Sequence, residues 1–173
     1  MTRDVLKYTL MFVLMVLLQA VIFNHVAIFN VACAFVFIYF IIRMPMSLNP
    51  IVALTLSFFL GLSVDIFSDT AGMNSLACTL LCACRWPAFA LCVQRDDEQE
   101  LPDPSLRGLG WGAFFKYALA LTVTYSALIC VIQAFSFADY KLLLVRIGAS
   151  ALLTFLIILG FASITHTNSA KRL

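Results

Sequence analysis

Six apolar runs, at residues 5–23, 26–42, 51–67, 73–93, 113–135 and 143–165, make up most of this chain, and short intervals separate most of them. Each run is close to the roughly 20 residues that a helix needs to cross the hydrocarbon core of a bilayer. The chain has 173 residues, of which 63% are hydrophobic and 12% charged. A soluble domain of that size could not hide so much apolar surface. The expected fold is therefore an all-α membrane protein, a six-transmembrane-helix bundle.

The intervals set the connectivity. Asn24-His25 is a turn short enough to force an antiparallel helical hairpin. Arg43, Pro45 and Asn49-Pro50 break the chain before the third run. Arg3, Lys7, Arg43, Arg95, Arg107, Lys116, Lys171 and Arg172 fall on one side of the resulting topology, against Lys141 and Arg146 on the other. The positive-inside rule then makes both termini cytoplasmic. Arg3 and Lys7 ahead of an apolar run resemble a signal peptide. No small-x-small cleavage site follows, however, and the run continues to Phe23, so the segment is expected to be retained.

One substantial polar stretch, residues 94–112, is read as a cytoplasmic loop within a single polytopic domain covering 1–173. Arg95-Asp-Asp-Glu-Gln-Glu100 is acidic, and Pro102 and Pro104 block regular structure. Gly108-x-Gly110-x-Gly112 abuts a membrane span instead of following a strand, which excludes a dinucleotide fingerprint. Trp111 at that junction has the character of an interfacial anchor. A formal charge of +2 with no continuous basic stripe excludes a nucleic-acid partner. The six cysteines lie in apolar stretches, as free buried thiols do, so packing and not a disulfide framework or zinc site is expected.

Candidate functional residues gather around the third run. Ser57, Gly61 and Asp65 are spaced i, i+4, i+8 and so share one helical stripe, with Ser57-x3-Gly61 as a small-x3-small pattern that lets another backbone approach. Asp65 ends that stripe. A carboxylate at this depth is costly unless it is paired or reached by water. Two cations could pair with it. Arg146 starts the sixth run at a similar depth, whereas Arg85 lies twelve residues into the fourth, about 18 Å further down. Depth favours Arg146. Gln19 and Gln133 are read as interhelical hydrogen-bonding groups. No His, Ser or paired-acid arrangement forms a catalytic constellation, so no enzyme activity, metal or cofactor is expected.

Three segments together resemble a known family. Arg43-Met-Pro45 after the second run, Gly61-Leu-Ser-Val-Asp65-Ile closing the third and Gly72-Met-Asn74-Ser-Leu76 opening the fourth are similar to the bacterial rod-shape-determining membrane protein family MreD. The resemblance extends to chain length, six spans and cytoplasmic termini. Many members carry an acidic residue at the start of the second span, where this chain has Asn30 nearest. The resemblance implies a non-enzymatic, multi-pass scaffold of the cell-elongation (peptidoglycan synthesis) machinery in the bacterial inner membrane. Its partners would be an MreC-like single-span periplasmic protein and, indirectly, the MreB filament and cell-wall synthases. The stripe and the Gly72 turn would then be where that partner docks or where the bundle is shaped to receive it. The family fold is also similar to substrate-binding subunits of energy-coupling-factor vitamin transporters, which gives a second expectation, a small-molecule-binding membrane subunit. Such a subunit should converge several polar or aromatic groups on an outward pocket.

Overall fold

A computed structural model describes residues 2–23, 27–28, 32–70, 72–92, 104, 106–133 and 140–170. Its elements are α1 (Thr2–Leu18), running into a π-helical turn (Gln19–Phe23), a minimal antiparallel pair β1 (Ala27–Ile28) and β2 (Ala32–Cys33), the short α2 (Ile38–Arg43), and four long helices. These are α3 (Pro50–Ser68), α4 (Met73–Cys92), α5 (Leu106–Gln133) and α6 (Tyr140–Ala170). The two strands pair Ala27 with Cys33 and Ile28 with Ala32. Four segments are long and apolar enough to cross a membrane: Pro50–Ser68, Met73–Cys92, Leu109–Gln133 and Val145–Ser163, with Tyr8–Val21 a shorter apolar helix. Large apolar side chains are exposed along them, such as Leu10 on α1, Phe59 on α3, Leu91 on α4 and Leu152 on α6. That is the surface expected where the surrounding solvent is lipid.

The third and fourth runs fold as read, with ends that chemistry explains. Asn49 caps α3, its side chain accepting from the Ile51 amide, and Pro50 occupies the first turn, where its missing N–H costs nothing. The helix stops at Asp69, which is left-handed at φ 54° and ψ 39°. α4 starts five residues after α3 ends, so the two form a tight helical hairpin.

The second run departs from expectation. Residues 26–42 are not one helix: the described part has the strand pair, an extended and turning stretch at 34–37, and the six residues of α2. A continuous apolar run does not distinguish helix from buried strand by periodicity, and this one is dense in the β-branched and aromatic residues that favour extended backbone. Lipid would not tolerate such backbone, but the interior of a bundle does. Val36, Phe37, Ile38, Ile41 and Ile42 are each fully buried. The stretch is held by side chains from two helices. Gln19 donates to the Ala34 carbonyl and accepts from the Val36 amide, both at 3.0 Å, and the Thr154 hydroxyl accepts from the Phe35 amide at 3.1 Å. Gln19, expected to hydrogen-bond between helices, bonds instead to the non-helical backbone at Ala34 and Val36.

From there the chain runs beside α4 for about half the length of that helix. Phe35 and Phe37 pack edge-on against Tyr125, whose hydroxyl bonds to Asn74 at the start of α4. Ile41 and Pro45 reach Arg85, deep in α4. Residues 34–46 therefore run beside α4, with the short α2 as their helical part. The 94–112 connector is also shorter than expected, because residues 106–112 are helical, with a bend at Gly110 (φ 76°, ψ 167°). Trp111 is exposed there. The Asn24-His25 turn, Asn30 and the acidic 95–100 segment lie outside the described residues.

Candidate functional site

The residues that carried the sequence pattern meet at the turn between α3 and α4. Asp65 is buried on the last turns of α3, and its carboxylate accepts four hydrogen bonds. Its Oδ1 takes the Thr70 hydroxyl at 2.6 Å, the Asn74 amide at 3.0 Å and the Asn74 side-chain Nδ2 at 3.0 Å. Its Oδ2 takes the Ser75 amide at 2.8 Å. Asn74 and Ser75 belong to the first turn of α4, whose N–H groups have no partner inside their own helix. Asp65 therefore caps the next helix in the chain. The positive end of the α4 dipole and these charge-assisted bonds compensate its charge where a cation was expected to do so.

This corrects the anticipated ion pair. Arg146 is exposed on α6, and among the described residues no ion pair joins Asp65 to Arg146 or to Arg85. Arg85, buried on α4, instead donates to the Pro45 carbonyl at 2.7 Å, to the Ile41 carbonyl at 3.4 Å and to the Met46 sulfur at 3.2 Å. It ties the end of α2 and the following turn to α4. The amides of a helix start compensate a carboxylate without any opposite charge, and the nine- and ten-residue spacing from Asp65 to Asn74 and Ser75 is what a one-turn connection produces.

Gly61 explains how close the hairpin is. A Cβ built on it would lie 2.4 Å from the Ser75 Cα and 2.6 Å from the Asn74 carbonyl oxygen, both of them backbone. Only glycine admits that approach, and the approach brings the Asn74 and Ser75 amides to Asp65, one helical turn further on. Ser57 is buried on the same stripe, and its hydroxyl has no hydrogen-bond partner among the described residues. Gly61 and Asp65 are thus spent on packing within the chain, so the buried stripe is no exposed groove for a partner helix, and of the two expectations the one left is that it shapes the bundle. Gly72 serves the turn. It sits at φ +75°, its carbonyl accepts from the Ser75 hydroxyl at 2.8 Å, and its amide donates to the Thr70 carbonyl at 2.8 Å.

Asn74 is the hub. Its side-chain nitrogen bonds both Asp65 and Thr70, and its oxygen accepts from the Tyr125 hydroxyl at 2.8 Å. The network therefore reaches α5, and through the Tyr125 ring it reaches Phe35 and Phe37. Sequence reasoning did not single out Thr70, Ser75 or Tyr125. The available signal was a set of polar residues crowded at the end of an apolar span, each of which must be satisfied internally.

The arrangement holds a buried carboxylate among four donors, three on Oδ1 and one on Oδ2, so the part it plays here is that of a clasp. Cys78 and Cys82, four residues apart on α4, share a buried face, while Cys84 is exposed on another. Compared with known proteins, the chain is matched by no family model, no curated protein and no solved structure.

Proposed function

We propose that this chain is a non-enzymatic scaffold of the bacterial rod-shape and cell-elongation machinery, a multi-pass protein of the inner membrane. The reading rests on the MreD-like pattern, and one observation supports it above others. Gly61, Asp65, Gly72 and Asn74, which carry most of that pattern, interlock in a single clasp. Residues that match a family by accident of apolar composition have no reason to be mutually dependent.

In this reading the chain passes the membrane six times with both termini in the cytoplasm. The second pass is the mixed segment of residues 34–46, and the clasp lies at the outer face. The partner is an MreC-like protein with one span, and through it the MreB filament and the wall synthases. With the stripe buried, the partner helix meets the outward apolar faces of the bundle. Co-purification tests this directly. When the chain is co-expressed with an MreC-like protein from the same genome, the two should leave the membrane as one complex, and depletion of the chain should round rod-shaped cells. Failure of both would remove the scaffold reading, and tight retention of a vitamin by the purified chain would favour a transporter subunit.

A further inference from the structure

At the far end of the α3–α4 hairpin from Asp65 there is a cavity of about 260 Å³ between the turn before α3 and the second half of α4. Leu48, Leu54 and Trp86 are among its apolar walls, and Arg85 and Met46 also line it. Arg85 is only 5% exposed. The described acidic side chains are Asp65 and Asp69, at the opposite end of α3. From Ala53, which lines the cavity, to Asp65 is twelve residues, or about 18 Å of helix. Among the described residues, then, this guanidinium has no counter-charge, although burying a charge is costly without one. Two carbonyls offset part of that cost. The third contact, at 3.2 Å, is to the Met46 sulfur, a weak acceptor. A guanidinium has five N–H donors in a fork that fits phosphate oxygens, and here one of its contacts goes to a sulfur that an anionic oxygen would better.

Two further features favour an anion. The first turn of α3, at Pro50 and Ala53, forms part of the wall and brings the positive end of a 19-residue helix to the cavity. The surroundings are a lipid-facing surface, with Ile51, Val52 and Trp86 exposed beside it. An occupant must therefore carry a negative group for Arg85 and an apolar body for the walls, and it must arrive through the bilayer.

We propose that this cavity binds an anionic phospholipid of the leaflet at the α3 start, its phosphate on Arg85 in place of the Met46 sulfur and an acyl chain along Leu48, Leu54 and Trp86. The proposal requires only that the chain spans a membrane and is independent of its role in cell shape. Native mass spectrometry and thermal unfolding of the full chain in neutral detergent test it, with phosphatidylglycerol, phosphatidylcholine and inorganic phosphate as probes. Phosphatidylglycerol should be retained and should raise the unfolding midpoint, with phosphatidylcholine at least tenfold weaker and inorganic phosphate without effect at the same concentration. Arg85→Gln should lose that preference. Since Arg85 also anchors α2, a second variant is needed. Ala83→Phe, from an exposed wall position, should fold with an unchanged lipid-free midpoint and bind phosphatidylglycerol at least tenfold more weakly. Equal retention of both lipids, undiminished retention in Ala83→Phe, or the same stabilisation by inorganic phosphate would each overturn the proposal.

Discussion

The α3–α4 hairpin and the 34–46 traverse solve one problem in opposite ways. Both must satisfy backbone polar groups in a molecule surrounded by lipid, where an unmade hydrogen bond costs several kcal/mol. The hairpin does so locally. Its helices pair their own N–H and C=O groups, and the otherwise unpaired amides of the first turn of α4 are capped by a residue nine and ten positions upstream. The traverse does so at long range, borrowing Gln19 from 15 to 17 residues away, Arg85 from 40 to 44 and Thr154 from 119. Local closure is readable from a motif. Long-range closure makes the backbone conformation a property of the assembled bundle, and the segment has little reason to hold its shape before α4 and α6 are in place.

Substitutions can break this contrast in order of size. Asp65→Ala should have the largest effect. It strips the acceptor from two buried amides, a side-chain amide and a hydroxyl, and each orphaned donor costs about 1–3 kcal/mol. A loss of about 3–5 kcal/mol is expected by denaturant titration in detergent, with Arg146→Ala nearly silent. Comparable losses for the two variants would restore the ion pair and refute the clasp.

Gln19→Leu comes next, at about 2–4 kcal/mol, because it leaves the Ala34 carbonyl and the Val36 amide buried without their partner. Hydrogen exchange sharpens the comparison. Gln19→Leu should release protection across residues 34–43 and the end of α1 while α4 stays protected, whereas Asp65→Ala should open the start of α4 first. Matching exchange patterns would mean that the two regions are one cooperative unit. The smallest effect belongs to Gly72→Ala, where no neighbouring atom obstructs the added methyl closely and only the positive φ resists it. About 1 kcal/mol is expected, confined to the turn.

The same contrast decides what could be read in advance. Asn49-Pro50, Gly72 and the apolar lengths placed α3 and α4 within a residue or two, because caps and turns act over a few positions. Asp65 stood out as costly, and it is indeed at the centre of the buried polar network. Its partner was misread because a carboxylate suggests a cation, whereas a helix start offers equivalent compensation without any charged residue to mark it. The second run was misread for a different reason. Within residues 26–42 the density of β-branched and aromatic residues was the one local sign of extended backbone, and the residues that hold that backbone lie elsewhere in sequence. Gln19 and Thr154, polar groups inside apolar helices, were the trace of it.

The Asp65 clasp also bears on the order of synthesis. α3 is made before α4, and the amides that receive the carboxylate follow it by nine and ten residues. At a translation rate of about 5–20 residues per second that interval lasts roughly 0.5–2 s. For that time α3 carries a carboxylate that the hydrocarbon rejects and that nothing yet accepts. Nascent α3 is apolar enough to span, but its last turn is compensated only once the first turn of α4 has been made. A ribosome stalled between Ser68 and Met73 is expected to leave that last turn at the interface, short of its final place.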